Sequence, residues 1–152
     1  MINITLPDGS VKQFEGNITP LDVAKSISEG LARNVLCASI DGNVVELSRT
    51  ISQDCALKLY TWNDAQGKQT FWHSSAHLLA AAVLELYPNA KFGIGPAIEN
   101  GFYYDIDFGD KVLSSEDFSK IEAKMAEIVK RSVSLVRKEV SKAEALKWFE
   151  AK

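Results

Sequence analysis

The chain has 152 residues, 46% hydrophobic and 24% charged, enough for one sizeable core or two small ones and unlike a disordered or fibrous composition. It contains no run of about 18 apolar residues, and its start lacks the basic residues and long apolar core of a secretory leader, so a cytoplasmic protein without a membrane partner is expected. The net charge of −3 is unevenly spread: residues 1–62 carry five basic and seven acidic side chains, residues 63–110 two and six, and residues 111–152 ten and seven. The last third is thus the part best able to meet a polyanion, although an ordinary solvated helical surface would look the same.

At the start, Ile2, Ile4 and Leu6 alternate with polar residues, Pro7-Asp-Gly-Ser10 has turn chemistry, and residues 11–14 resume an extended pattern, predicting a β-hairpin. Thr19-Pro20-Leu-Asp22 supplies an N-cap hydroxyl, a proline at the first helical position and a carboxylate three residues after the cap. The helix it opens is expected to bury Leu21, Ala24 and Ile27 and to stop at Gly30. Strands follow at 35–40, 44–45 and 56–62, with Asp41-Gly-Asn43 as a turn. A hairpin, one helix and later strands completing the sheet make a β-grasp, ubiquitin-like domain over residues 1–62. Its aspartates fall at turns and caps, where local backbone hydrogen bonding is their ordinary role, so this unit reads as a binding module. Cys37 and Cys55 have apolar neighbours and no C-x-x-C spacing, and are expected to be buried free thiols.

Residues 63–69 are polar, contain Gly67 and separate strand-like from helix-like patterns, so they are read as a linker. Thr70 would cap the next helix, with Trp72, Ala76, Leu79, Ala80, Val83 and Leu86 as its core stripe. On its flank stand the two histidines of the chain, His73 and His77, four residues apart and therefore on one helical face. With no charge before Glu85, this helix is expected to be buried on most sides and its imidazoles neutral. Hydrogen-bonded structural histidines, an incomplete metal site and an acid–base pair are all compatible with the spacing. The zincin signature fails because Ser74, not glutamate, follows His73, and the chain has no third histidine to complete a zinc site, leaving at best a carboxylate such as Asp105.

Pro88 ends this helix, and Gly93-x-Gly95 is followed at once by Pro96, so it is a tight loop rather than a dinucleotide fingerprint. From Gly101 the chain alternates, with Phe102, Tyr104, Ile106 and Phe108 on one face and Tyr103, Asp105 and Asp107 on the other. Periodicity does not say which face meets the histidines, so Tyr104 and Asp105 are both candidates. Ser114-Ser-Glu-Asp117 opens a helix with Phe118, Ile121, Met125, Ile128 and Val129 on one face and Lys120, Lys124, Glu127 and Arg131 outside. A strand is predicted over 132–140, and Ser141-Lys-Ala-Glu144 is a capping box for a helix with Leu146 and Phe149 inward. Residues 70–152 read as an incomplete α+β unit, and the chain as a piece of something longer.

Ile4-Thr-Leu-Pro-Asp-Gly-Ser10, Thr19-Pro20 with Asp22-Val-Ala24, His73-Ser-Ser-Ala-His77-Leu-Leu79, and Ile94-Gly-Pro96 through Asn100-Gly-Phe-Tyr-Tyr-Asp105 together carry a resemblance that runs end to end. The chain resembles the amino-terminal part of bacterial-type threonyl-tRNA synthetases. This resemblance implies a TGS domain over 1–62 and, over 70–152, the beginning of an editing domain that hydrolyses serine wrongly attached to threonine tRNA. It places His73 in proton transfer or water positioning, with His77 beside it and Tyr104 as a third member; both histidines are candidate partial metal ligands. The family completes the site with a C-x-x-x-H motif and a lysine that this sequence lacks, so the chain alone is expected to be inactive, monomeric and without a cofactor. For the full-length parent the resemblance implies a homodimer using ATP, Mg and Zn, with the acceptor end of threonine tRNA as partner. A rival reading from another class is a non-catalytic RNA-binding or regulatory module gripping RNA with the first unit and the basic 111–152 surface.

Overall fold

The computed structural model describes residues 1–132 and 138–150. Strands β1 (Ile2–Thr5) and β2 (Val11–Phe14) form the expected hairpin, pairing Ile2 with Phe14 and Ile4 with Lys12. Helix α1 (Pro20–Ile27) starts as its cap chemistry requires: the Asp22 N–H donates to Thr19 Oγ1 at 3.2 Å and the Thr19 N–H donates to Asp22 Oδ2 at 3.0 Å. The buried stripe is shifted by one position. Pro20, Val23 and Ala24 face the sheet, whereas Leu21 is half-buried and Ile27 exposed. Nor does Gly30 stop α1. Ser28 ends it in an extended conformation and its hydroxyl accepts from the Leu31 N–H, opening a second helix, α2 (Glu29–Asn34), that contains Gly30.

Strands β3 (Cys37–Ile40), β4 (Asn43–Val45) and β5 (Cys55–Tyr60) complete a five-stranded sheet of order β2-β1-β5-β3-β4, in which β1 and β5 are parallel and the other pairs antiparallel. With α1 across it, this is the β-grasp arrangement. Ile4, Val23 and Leu57 are essentially solvent-free in its core, each worth about 1.5–3 kcal/mol of burial. Both cysteines are free and buried, as expected.

Helix α3 runs from Ala65 to Leu86, so Thr70 lies inside it, and five of the seven residues taken for a linker are helical. Asp64 is the N-cap; its carboxylate turns back to accept from the Thr61 N–H at 2.9 Å while its own N–H donates to the Thr61 carbonyl at 3.0 Å. Only four residues separate β5 from α3. Gly67 seats the helix on that turn, since a Cβ there would overlap the Thr61 carbonyl oxygen and lie 2.7 Å from its carbon. The polarity that suggested a linker comes from the exposed side of the first helical turns.

A second core forms where α3 meets α4 (Ser115–Lys130): Ala82, Val83 and Ile121 are buried, with Leu79, Leu86, Phe92, Ile106, Phe108, Met125 and Ile128 packed around them. Phe118 and Val129, expected inward, are 55% and 60% exposed, because α4 meets α3 along Ile121, Met125 and Ile128. The capping box of α4 is present, with the Ser114 N–H and Oγ–H donating to Asp117 Oδ2 at 2.9 and 3.1 Å. Between the two helices lie four short strands: β6 (Lys91–Phe92), β7 (Ala97–Ile98), β8 (Gly101–Phe102) and β9 (Ile106–Asp107), paired as β6-β9 and β7-β8. The single strand expected from Gly101 is thus divided, yet its alternation survives: Phe102, Tyr104, Ile106 and Phe108 are half-buried while Tyr103, Asp105 and Asp107 are exposed.

The strand predicted over 132–140 falls largely on 133–137, which lie outside the described residues. Helix α5 (Lys142–Glu150) has its predicted box, with the Glu144 N–H donating to Ser141 Oγ at 3.2 Å and the Ser141 N–H to Glu144 Oε2 at 3.1 Å. Its expected inward face is not buried: Leu146 is 53% and Phe149 68% exposed.

Candidate functional site

Helix α3 brings His73 and His77 into direct contact. Their Nε2 atoms are 3.2 Å apart and their ring centroids 4.6 Å apart, edge to face at 83°. A hydrogen bond at that distance requires one Nε2 to carry a proton and the other to be bare. With both rings in the neutral form, the donor ring keeps a bare Nδ1 and the acceptor ring an Nδ1–H, so that form of the pair offers a proton acceptor at one end and a donor at the other. Both residues are exposed, contrary to the expected burial. The reason is the angular distribution of packing on α3: Leu79, Ala82, Val83 and Leu86 turn toward α4, whereas His73, His77, Ala81 and Leu84 share the opposite, open stripe.

A cleft of about 550 Å³ opens beside His73. Gln66, Gln69, Thr70 and Ser74 of α3 line it with His73, together with Pro96 from the loop between β6 and β7, Ala97 of β7 and Val44 of β4. His77 is not among its lining residues. A neighbouring cleft of about 530 Å³ shares Gln69 and Ala97 and extends toward Asn63, Lys68 and Asn100.

Neither Tyr104 nor Asp105 is among the residues that line the cleft. Tyr104 is turned inward, its ring 5.7 Å from that of Phe92 and lying over Gly95, where a Cβ would come within 2.9 Å of Tyr104 Cγ. Asp105 points to solvent while its backbone ties down the loop: the Gly93 N–H donates to its carbonyl at 2.7 Å and its N–H donates to the Ile94 carbonyl at 2.9 Å. Tyr104 therefore supports the loop that carries Pro96 rather than lining the cleft with His73.

As for a metal, the histidines supply two donors, and among the described residues no third histidine, cysteine or carboxylate stands close enough to complete a site. The donor set does not fit a structural or catalytic zinc ion, which takes at least three protein ligands.

The strongly perturbed groups lie away from the cleft. Asp117, buried at the start of α4, is held well below the usual carboxylate range by the Tyr87 hydroxyl, which donates to it at 2.7 Å, and by the Ser114 N–H. The same bond raises the Tyr87 phenol. Arg131 forks onto Glu85 at 2.6 and 3.1 Å and also reaches Glu127, while Lys124 bridges Glu127 and Glu85, lowering both carboxylates and raising the guanidinium. Two cations of the supposed basic face are thus engaged with carboxylates. Gln66, Gln69 and Thr70 were missed as site residues because they stood in the supposed linker or at its edge. Once the helix begins at Ala65 they fall seven, four and three residues before His73, on its face. For Val44 no sequence signal exists.

Residues 2–61 match the TGS domain family, and the five-stranded sheet with its crossing helix is the corresponding β-grasp fold. Beyond this domain, the similarity extends over 98% of the chain: it is 57% identical over 149 residues to a threonine–tRNA ligase of Cytophaga hutchinsonii, 53% to one of Flavobacterium psychrophilum and 52% to one of Bacteroides fragilis. The chain spans 23% of the length of each of these curated relatives. Its similarity is to the N-terminal region of bacterial threonine–tRNA ligases.

Proposed function

We propose that these residues are the N-terminal part of a threonine–tRNA ligase, with a TGS accessory domain over 1–62 and, from 70 onward, the first portion of a proofreading domain that hydrolyses seryl-tRNA bearing the threonine anticodon. The observation that carries this reading is that His73 both lines the cleft and shares a 3.2 Å hydrogen bond with His77. Threonine differs from serine by one methyl group, and a single binding site gains only about 1–3 kcal/mol from such a difference, so a second, hydrolytic site is needed. In that reaction a water attacks the ester carbonyl, its proton passes to the bare nitrogen of the imidazole pair, and the 3′-terminal ribose hydroxyl leaves with a proton. His73 takes the proton or orients the water, and His77 fixes its tautomer. Tyr104 acts through the loop it supports. Any ATP, Mg or Zn used in aminoacylation belongs to other parts of a cytoplasmic ligase, not to these residues.

In a chain extended into the rest of the ligase, His73→Ala is expected to lower hydrolysis of mischarged tRNA by about 10²–10⁴-fold, the usual contribution of a positioned acid–base group. Hydrolysis at the parent rate would remove His73 from the mechanism. The rival reading, a non-catalytic RNA-binding module, is weakened by the engagement of Lys124 and Arg131 with Glu85 and Glu127. It predicts RNA affinity that falls steeply with salt and is untouched by His73→Ala.

A further inference from the structure

The β-grasp unit has a cleft of its own, about 360 Å³ in volume, that shares no lining residue with the cleft beside His73. Ile40 and Asn43 face each other across the two-residue turn between β3 and β4, Val45 ends β4, and residues 49–53 lead from there to Cys55 at the start of β5. The apolar part of the lining is the rim of the β-grasp core. Ile51 and Cys55 belong to that core, 3% and 8% exposed, and Ile40 and Val45 pack against it. The polar part is Asn43, Arg49, Thr50, Ser52 and Gln53.

Charge sets this cleft apart from its surroundings. Residues 1–62 carry seven acidic side chains against five basic, yet the one charged side chain that lines the cleft is a cation, and among the described residues no carboxylate lines it. The carboxylates of Asp41 and Asp54 are bound to backbone, accepting from the Ala56 N–H at 2.9 Å and the Asn3 N–H at 2.8 Å. Arg49 donates its Nε–H to Glu46 at 3.1 Å, and a guanidinium has four further N–H donors. The hydroxyls of Thr50 and Ser52 and the carboxamide of Gln53 are exposed and can donate as well.

This combination selects among anions. Inorganic phosphate would use the donors and leave the apolar residues idle, while an amino acid would bring an ammonium group that no lining carboxylate meets. A carboxylate on a short branched hydrocarbon uses both parts of the lining, with a charge-assisted pair at one end and apolar contact along its body. The volume lies near the lower end of the range of about 300–1,000 Å³ for ligand sites, which suits a small molecule.

We propose that this cleft of the TGS domain binds a small aliphatic monocarboxylate that carries no amino group, its carboxylate on Arg49 and its hydrocarbon against Ile40, Val45 and Ile51. The site is independent of the histidine pair and stands or falls separately from the hydrolytic reading.

The test titrates the 152-residue chain with millimolar 3-methylbutanoate and follows the assigned methyl signals of Ile40, Val45 and Ile51 and the Arg49 Nε–H by NMR. Saturable shifts at all four residues are expected. Three further probes separate the contributions: 3-methylbutanamide keeps the shape without the charge, inorganic phosphate keeps a charge without the hydrocarbon, and leucine adds an ammonium group. Each is expected to bind at least about tenfold more weakly, the factor for one charge-assisted hydrogen bond or one apolar side-chain contact. Arg49→Met is expected to weaken 3-methylbutanoate by a similar factor with Tm nearly unchanged, because the Arg49–Glu46 pair is partly exposed and contributes little to stability. Equal binding of the amide would overturn the anion site, equal binding of phosphate the role of the apolar residues, and equal binding of leucine the exclusion of amino acids. No shift at millimolar 3-methylbutanoate, or undiminished binding by Arg49→Met, would overturn the proposal as a whole.

Discussion

Replacing Gly67 with alanine sets two physical effects against each other. Gly67 lies within the first turns of a 22-residue helix, and helix propensity alone favours alanine there by about 1 kcal/mol. The structure opposes it: the added methyl would overlap the Thr61 carbonyl oxygen, lie 2.7 Å from its carbon and 3.3 Å from its nitrogen. Those are backbone atoms of a turn tied by the two Thr61–Asp64 hydrogen bonds, so no side chain can rotate aside. Overpacking against such a neighbour costs about 1–3 kcal/mol or more, and the helix must lift from the turn. We expect Gly67→Ala to be net destabilising by about 1–2 kcal/mol, a Tm lower by about 2–8 °C for a chain of this size. Far-UV circular dichroism melting measures the shift. Near-UV dichroism tests its location, because Trp62 and Trp72 sit at the junction with ring centroids 5.5 Å apart. Gly30→Ala is the control: in α2 nothing but Ser28 Oγ, at 4.0 Å, stands near the added methyl, so that change should raise Tm slightly. A Tm for Gly67→Ala that rises like the control would refute the close approach and with it the fixed relation between sheet and helix.

Tyr87→Phe removes the hydroxyl that donates to Asp117 and should lower Tm at neutral pH. Because the folded-state pKa of Asp117 is depressed, its stabilisation is present above the ordinary aspartate pKa and is lost as pH falls through the folded value. Parent and variant melting curves should therefore converge as pH drops below about 4, and a constant gap down to pH 2 would contradict the assignment. The raised Tyr87 phenol acts on the other side: its contribution is present below the ordinary tyrosine pKa of about 10 and is lost as pH rises through the folded value. The Glu85–Arg131 pair is exposed, so Arg131→Met should shift Tm less than Gly67→Ala and lose most of that shift in 0.5–1 M salt, about where the Debye length falls to 3–4 Å. A large, salt-independent loss would mean that Arg131 acts through packing.

What could be read from sequence was whatever depends on residues a few positions apart. The three capping boxes at Thr19, Ser114 and Ser141, the hairpin at Pro7-Asp-Gly-Ser10 and the in–out alternation from Phe102 to Phe108 all use bonds or periodicities internal to their segments. The contact between His73 and His77 belongs to the same class, because a four-residue step on any helix brings two side chains together. The resemblance carried further, to the TGS domain and the ligase family.

Burial is another matter. A helix with an apolar stripe must face something, but which of its residues are covered depends on the element lying over them. Phe118 and Leu146 are as apolar as Ile121, yet only Ile121 meets α3. The same holds for the histidine face of α3, which looked buried from composition and is open because α4 packs on the other side. The start of α3 was misread because Gly67 has two meanings in sequence, a flexible joint or a close approach, and only the position of Thr61 selects the second. For Val44, local sequence holds no information about the cleft at all: it lines the cleft because β4 is an edge strand and the four-residue junction sets the sheet beside the helix. Local bonding thus determined the elements and the histidine pair, while the three-dimensional packing of sheet against helix decided what that pair faces.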